Sequence, residues 1–192
     1  MAHDTPGDLS PASIESDRLT LVPLSLGFLE ASLAGDAAGA GELIGLRVPP
    51  EWLEERWLME LRRGQLRDDP AYHSWGPRAI GDRASGAMIG HIGFHSGPGP
   101  DYLAETVPGG VEIGYTIFPA FRRRGYASEA VAALMGWAAG QGVRRFVLSI
   151  SPENAPSLAI AARFGFRLIG SQIDEEDGLE QIFLRDLDEA AG

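Results

Sequence analysis

Apolar and polar positions along the chain fall into short alternating runs and longer helical stretches, separated by glycine and proline. Residues 17–24, DRLTLVPL, alternate through Leu19 and Leu21 and stop at Pro23, which predicts a first strand. Residues 25–34, SLGFLEASLA, and 50–63, PEWLEERWLMELRR, carry helical spacing; in the second, Trp52, Leu53, Trp57, Leu58 and Leu61 form one apolar stripe. The segment between them, GDAAGAGELIGLRVP, is glycine-rich and reads as a mobile connection. Three strands follow, HSWGPRAI (73–80), MIGHIGFH (88–95) and VEIGYTIF (111–118). A hairpin signal, GDRASGA, joins the first two. The connection at 96–110, SGPGPDYLAETVPGG, exceeds the usual hairpin loop of about 2–5 residues and is a candidate flap.

From Ala127 to Gly140 the positions Ala127, Ala130, Val131, Leu134, Trp137 and Ala138 mark one helical face, which Gly140 and Gly142 end. RFVLSI (145–150) is the nearly continuous apolar run of an interior strand. Asn154 is a good N-cap and Pro156 fits a first turn, so a short helix starts there. FRLIGSQI (166–173) and LEQIFLRDL (179–187) close the chain as strands around the acidic turn DEEDG. The order β, α, α, β, β, β, α, β, α, β, β predicts an α+β fold in which helices cover a mixed sheet. One domain is expected over 14–187, with a loose tail at 1–13 and a frayed end at 188–192.

Composition narrows the setting. A chain of 192 residues, 44% hydrophobic, suits one well-packed core. The absence of cysteine excludes disulfides, thiolate metal sites and a cysteine nucleophile. The N-terminal MAHDTPGDLSPAS lacks the basic and apolar regions of a secretory signal. The longest apolar run, AVAALMGWAAG, is about half of the roughly 20 residues that cross a bilayer. A soluble, cytoplasmic protein without a membrane partner is therefore expected.

Charge changes the picture more. The net charge is −11, yet residues 118–170 hold seven arginines against Glu129 and Glu153. This division suits an anionic ligand on one side and a cationic one on the other, and equally suits a solvated basic face. All 16 basic residues are arginine, which fits multidentate phosphate recognition and fits genomic base composition as well. The acidic total opposes binding to nucleic acid.

The stretch FRRRGYASEA concentrates that charge. A strand ending at Phe118, an arginine-rich turn and a helix starting near Ala127 would aim unsatisfied main-chain N–H groups at one point, where the helix dipole is positive. Gly125 permits a positive φ, and Ala127 is small enough to sit beneath an anion. A P-loop is excluded because the chain has no lysine, and a dinucleotide fingerprint because Gly125 stands alone. A solvated turn is the competing reading.

Arg122-x-x-Gly125-x-Ala127 resembles the acetyl-coenzyme A (acetyl-CoA) loop of the GNAT superfamily of N-acetyltransferases, written [QR]-x-x-G-x-[GA]. The setting is similar too: VEIGYTIFPAFRRRGYASEAV precedes it, and SPENAPSLAIAARFGF carries an Asn-x-x-Ser and a Gly-Phe pair. DRLTLVPL looks like the opening strand of the RimJ/RimL-like, ribosomal-protein N-terminal acetyltransferase branch. The resemblance covers about residues 14–187. It implies a central, mostly antiparallel sheet of about seven strands. It also implies acetyl transfer from acetyl-CoA to a primary amine, by direct attack in a ternary complex. The pyrophosphate would lie on Arg122, Arg123, Arg124, Gly125, Tyr126 and Ala127. The pantetheine arm would run beside Ile113 to Phe118 as an added strand would, with Asn154 bonding it and a splay before 145–150 admitting the thioester. The partner is an amine acceptor, either a small molecule or a protein N-terminus, with a homodimer left open.

An alkyl ammonium must lose a proton before it attacks. Glu112, placed by alternation opposite Ile113, Tyr115 and Ile117, is the candidate base; an exposed strand residue is the alternative. The main chain around Ile117 and Phe118 is a candidate oxyanion donor. Many members place a tyrosine four residues before the Gly-Phe pair, where this chain has Ala161. Ser157 matches the serine of the RimJ/RimL-like branch that can hydrogen-bond the leaving sulfur, and also fits a serine bonding its own helix. His91 and His95, with no third metal ligand in view, read as structural, with His91 a fallback base. A non-catalytic acyl-CoA sensor of the same fold is the functional alternative.

Overall fold

A computed structural model describes residues 11–174 and 178–189, so most of the expected N-terminal tail, three residues of the acidic turn and residues 190–192 lie outside the described residues. The strands are β1 (Ile14–Glu15), β2 (Leu19–Pro23), β3 (Arg78–Asp82), β4 (Ala87–Phe94), β5 (Val111–Ile117), β6 (Arg145–Ile150), β7 (Arg167–Asp174) and β8 (Gly178–Asp186). The helices are α1 (Leu26–Leu33), α2 (Ala37–Ile44), α3 (Pro50–Glu54), α4 (Arg56–Asp68), α5 (Tyr126–Gly140) and α6 (Ala155–Arg163). One sheet of eight strands runs in the order β1-β2-β3-β4-β5-β6-β8-β7. All neighbours are antiparallel except β5 and β6. The eighth strand beyond the seven expected is the two-residue β1, too short for a periodic signal.

Strand alternation sends the two faces of the sheet into different cores. Ile80, Ile89, Ile113, Ile117 and Phe146 pack beneath α5 and α6, against Val131, Leu134 and Ala161. Ala79, Met88 and Phe118 turn to the opposite face, against Phe28, Trp52 and Met59 of the first four helices.

Three expectations are corrected. The segment expected to be mobile contains α2, because the Asp36 side chain accepts from the Gly39 N–H, Gly45 ends the helix at φ 67°, and Ala40 and Ile44 are buried. The helix expected over 50–63 breaks at Glu55, whose ψ of 41° is not helical. The break resets the phase: α4 buries Met59, Arg62 and Leu66, while Trp57 stays 60% exposed. The strand expected from His73 starts at Arg78, since Asp69 caps a 3-10 turn over Pro70–Ser74.

The 96–110 connection is tied down at both ends and in the middle. Gly99 N–H donates to the Gly110 carbonyl at 2.9 Å, and Leu103 and Val107 are buried on Val147 and Leu184. The end of the N-terminal tail is also held. Arg78, 1% exposed, donates to the carbonyls of Ala12 and Ser74 and lies 5.0 Å from the Trp137 ring centroid.

Candidate active site

The parallel pairing of β5 with β6 is recorded only at Val111↔Phe146 and Glu112↔Val147. Beyond it β5 stays with β4 as far as Ile117, while β6 stays with β8 through Ile150, so the two strands part. At the ends of β5, His95 N–H donates to the Glu112 carbonyl and Phe118 N–H to the Ile89 carbonyl. In an antiparallel ladder the residues between alternate, so Gly114 and Thr116 direct their main chain at β4, and Ile113, Tyr115 and Ile117 direct theirs into the gap. Beside the gap lies a cleft of about 1140 Å³, lined from β5 by Glu112 to Thr116, from β6 by Leu148 to Ile150, and by Asn154 and Ser157. A shallower hollow against α2, of about 440 Å³, shares no residue with it.

Glu112 sits at the root of the fork and is 6% exposed, which overturns the reading of an exposed strand residue. Ser149 Oγ donates to its Oε1 at 2.6 Å, and His95 Nδ1 lies 3.5 Å from its Oε2. Burial pushes the carboxyl pKa up, but hydrogen bonding from His95, Ser149 and Tyr102 outweighs it and holds the group below its ordinary value. Glu112 is therefore an anion at neutral pH. Tyr102 reaches this group from the 96–110 loop; burial and the Glu112 carboxylate raise its phenol above the usual range.

The two histidines take different places. His91 is enclosed by Trp52 and Phe118, at ring distances of 5.6 and 6.3 Å, and its Nε2 has no partner among the described residues. Burial, aided by the charge of Arg62, lowers its pKa to about 4. A neutral, enclosed imidazole of that kind is a poor fallback base. His95 lies just past β4 with a side chain 42% exposed, and it lines the cleft.

The arginine-rich turn joins the far end of β5 to α5, and its residues do not line the enclosed part of the cleft. Gly125 is the left-handed N-cap, φ 80°, and offers no side-chain oxygen to the helix. The first main-chain bond of α5 runs from Glu129 N–H to the Gly125 carbonyl. The N–H groups of Tyr126, Ala127 and Ser128 thus precede the ladder. The arginines do not act together. Arg122 Nε donates to the Ile117 carbonyl at 2.8 Å, tying the turn to the open edge of β5. Arg123 is the non-glycine residue with positive φ, 63°, among the described residues. Arg124 lies 5.8 Å from the Phe121 ring centroid. Tyr126 spends its side chain on Asp82 and Arg18.

The scaffold behind this turn escaped the sequence reading. Arg18 donates to the Arg124 carbonyl at 3.1 Å and pairs with Glu129 at 2.7 Å. Ser16 Oγ donates to the same carboxylate. Glu129, one of the two acids of the basic segment, is therefore spent on β2's lead-in, a pairing across more than a hundred residues that no local pattern reveals.

One expectation changes where β5 ends. Phe118 is no oxyanion donor, because its N–H is taken by Ile89; the N–H groups of Tyr115 and Ile117 face the gap instead. Ser157 N–H donates to Asn154 Oδ1, so the helix cap uses that oxygen and leaves the Asn154 amide nitrogen for the cleft. Ala161 is fully buried and offers no donor. The Tyr115 hydroxyl, also buried, has no hydrogen-bond partner among the described residues. Burial raises its pKa and the nearby Ser157 hydroxyl offsets part of that rise, although the pair falls short of hydrogen-bond geometry.

Comparison with known proteins agrees with this architecture. Residues 18–167 match the family described as acetyltransferase (GNAT) domain. The chain is 32% identical over 89 residues to the uncharacterized N-acetyltransferase YnaD of Bacillus subtilis, covering 46% of this chain and 48% of that protein. It is 36% identical over 53 residues to an aminoglycoside N(6')-acetyltransferase type 1 of Salmonella typhimurium, covering 28% of this chain and 37% of that one. The matches thus span less than half the length of these curated relatives. A GnaT-family acetyltransferase from Bordetella pertussis superposes with a TM-score of 0.61 at 26% identity, covering 91% of this chain and 99% of that one. RimL, a ribosomal-protein alpha-N-acetyltransferase solved with coenzyme A, shares the fold at a TM-score of 0.63 and 21% identity, covering 92% and 99%. The chain belongs to the GNAT acetyltransferase family.

Proposed function

We propose that this protein transfers an acetyl group from acetyl-CoA to a primary amine, the two substrates meeting in the cleft between β5 and β6. The observation that carries this reading is the fork itself: an unpaired β5 edge, a buried anionic Glu112 at its root and an uncapped α5 N-terminus at its far end. The main-chain groups of Tyr115, with the Ile113 carbonyl and the Ile117 N–H, suit the amides of a pantetheine arm, which can hydrogen-bond as a strand does. The N–H groups of Tyr126 and Ala127 and the positive end of α5 suit a pyrophosphate. Arg123 and Arg124 add charge at the turn. The Asn154 amide reaches the arm from the opposite side.

Within that arrangement the anionic Glu112 supplies negative charge at the root of the fork, beside the place where the acceptor ammonium gives up its proton. The main-chain N–H of Tyr115 or Ile117 faces the place where negative charge develops on the acetyl oxygen. Ser157 and the unpartnered hydroxyl of Tyr115 stand as donors to the departing sulfur, taking the place of the tyrosine that Ala161 replaces. A thiol pKa near 8.5 makes this a modest demand.

The acceptor is cationic in this reading. Glu55, Asp174 and Glu180 line the same cleft as Glu112. That acidity fits an aminoglycoside or a protein N-terminus, the amines named for two similar proteins. A place in the RimJ/RimL-like branch rests on Ser157 and the opening strand. Acetyl-CoA binding by calorimetry, with thiol release over a panel of polyamines, aminoglycosides and N-terminal peptides, tests the function. Binding together with release for one acceptor class is expected. Binding without release for any amine would make the protein an acyl-CoA sensor, and failure to bind would overturn the reading altogether.

A further inference from the structure

The groups around Glu112 are arranged about its neighbour. The main chain carrying His95 is clamped: Arg62 Nη1 and Gln65 Nε2 donate to the His95 carbonyl at 3.2 and 3.3 Å. The Tyr72 hydroxyl donates to the Phe94 carbonyl at 2.7 Å and accepts from Arg62 at 2.9 Å. From this fixed point the imidazole lies across β5 over Gly114, where a β-carbon would stand 2.5 Å from Nε2. Its other nitrogen faces Glu112 Oε2 at 3.5 Å, while Ser149 occupies Oε1. The carboxylate is enclosed, with a side chain 8% exposed against 42% for His95. An incoming amine in the cleft therefore meets the imidazole before it meets the carboxylate.

We propose that His95 Nε2 takes the proton from the acceptor ammonium, and that Glu112 is a positioning residue that holds the ring in the tautomer with hydrogen on Nδ1. This rests on the acetyl-transfer reading and names the group that performs its first step. One N–H bond of R–NH3+ breaks and its proton passes to Nε2, giving an imidazolium whose Nδ1–H remains directed at Glu112. The freed lone pair forms the N–C bond to the acetyl carbon, and the C–S bond breaks with its electron pair leaving on sulfur. The second proton lost by nitrogen neutralises the thiolate, and the imidazolium returns its proton to solvent. The titratable and charged groups around the ring are Glu112 on β5, Arg62 on α4 and Tyr102 in the 96–110 loop, with Glu55, Asp174 and Glu180 lining the same cleft. A carboxylate already stabilised by its hydrogen bonds accepts a proton reluctantly, which is consistent with a supporting role.

The test has two arms on the full chain. Long-range 1H–15N spectra of histidine-labelled protein, with His95→Gln to assign the resonance, read the tautomer without any acceptor. His95 is expected with Nδ1 protonated and Nε2 free, moving toward the Nε2–H form in Glu112→Gln; an Nε2–H tautomer in the unmodified protein overturns the proposal. Kinetics use acetyl-CoA with spermidine, kanamycin and an alanine-initiated tripeptide. His95→Gln should lower kcat about 10²–10⁴-fold with acetyl-CoA affinity within about twofold. Its residual rate should climb about tenfold per pH unit toward the amine's own pKa, where the free amine needs no base. An unchanged kcat and pH profile also overturns the proposal. Absence of turnover by the unmodified protein with all acceptors would count against the acetyl-transfer reading, while the tautomer still decides the His95–Glu112 pairing.

Discussion

Alanine at position 114 separates chemistry from folding. A β-carbon there would stand 2.5 Å from His95 Nε2, 3.2 Å from Cδ2 and 3.7 Å from Cε1. Ordinary contact is about 3.5 Å, so the ring must retreat by about 1 Å. The steric cost is small, because what it displaces is the half-exposed end of a side chain; with the loosened contact to the buried Glu112 the folding cost should be about 0.5–1 kcal/mol. The pairing with Glu112, already 3.5 Å apart, does not survive such a swing. Misplacement of a reacting group by about 1 Å costs about 10²-fold in rate, or roughly 2.7 kcal/mol in the barrier. Gly90→Ala is the contrasting substitution. Its β-carbon would lie 2.1 Å from the Thr116 carbonyl oxygen and 3.0 Å from the Ile117 Cα, both main-chain atoms of the neighbouring strand. Relief requires β4 and β5 to separate, at about 1–3 kcal/mol or more, which lowers Tm by about 2–4 °C per kcal/mol in a chain of this size. Thermal unfolding followed by circular dichroism, alongside thiol release, checks the pair. Gly114→Ala with wild-type kcat, or with a Tm loss matching Gly90→Ala, would refute the reasoning.

Ser149→Ala removes a 2.6 Å bond to the carboxylate of Glu112, a loss of about 1.5–3 kcal/mol for a buried charged acceptor. Because the folded pKa of Glu112 is depressed, that stabilisation is complete above the ordinary glutamate value of 4.5 and fades as pH falls through the folded value; denaturant melts from pH 7 down to pH 3 should show the two proteins converging, and a constant gap would contradict it. Ala127→Glu should leave Tm equal or slightly higher, since a carboxylate in the first turn of α5 favours the dipole by about 0.3–1 kcal/mol. The same charge should weaken acetyl-CoA binding at least about tenfold by calorimetry, and unaltered affinity would remove the turn from the binding site. Leu103→Ala should expose the 96–110 loop to limited proteolysis while hydrogen exchange in β4 stays slow; intact loop resistance would mean the Leu103 contact is not what holds it.

Most elements were legible in the sequence because each carries its own local signal. Leu19 and Leu21 alternate, Asn154 caps α6, and the apolar run at Arg145–Ile150 is an interior strand. Failures came where tertiary contacts override local preference. Glycines in residues 37–44 argue for a loop, yet Asp36 at one end and Gly45 at the other frame a helix. Trp57 and Leu61 fit a stripe whose phase is lost at Glu55, and they emerge beside the cleft. Within the site, Glu112 was readable from alternation, since it stands opposite the apolar Ile113 and Ile117. His95 was not, because its partner lies on another strand and its seat depends on the missing side chain at Gly114. The bracing of the arginine turn by Arg18 and Glu129 joins residues far apart in the chain, which periodicity cannot report.

The excursion between β4 and β5 leaves and re-enters the sheet at almost the same point, since Gly99 and Gly110 are bonded to each other, and it brings its own apolar ballast in Leu103 and Val107. Such a detour is an exchangeable cassette. Its exposed positions, Asp101 and Glu105 among them, can be rewritten without disturbing the strands on either side. Substitution there can therefore redress one wall of the cleft while the scaffold beneath it is inherited intact.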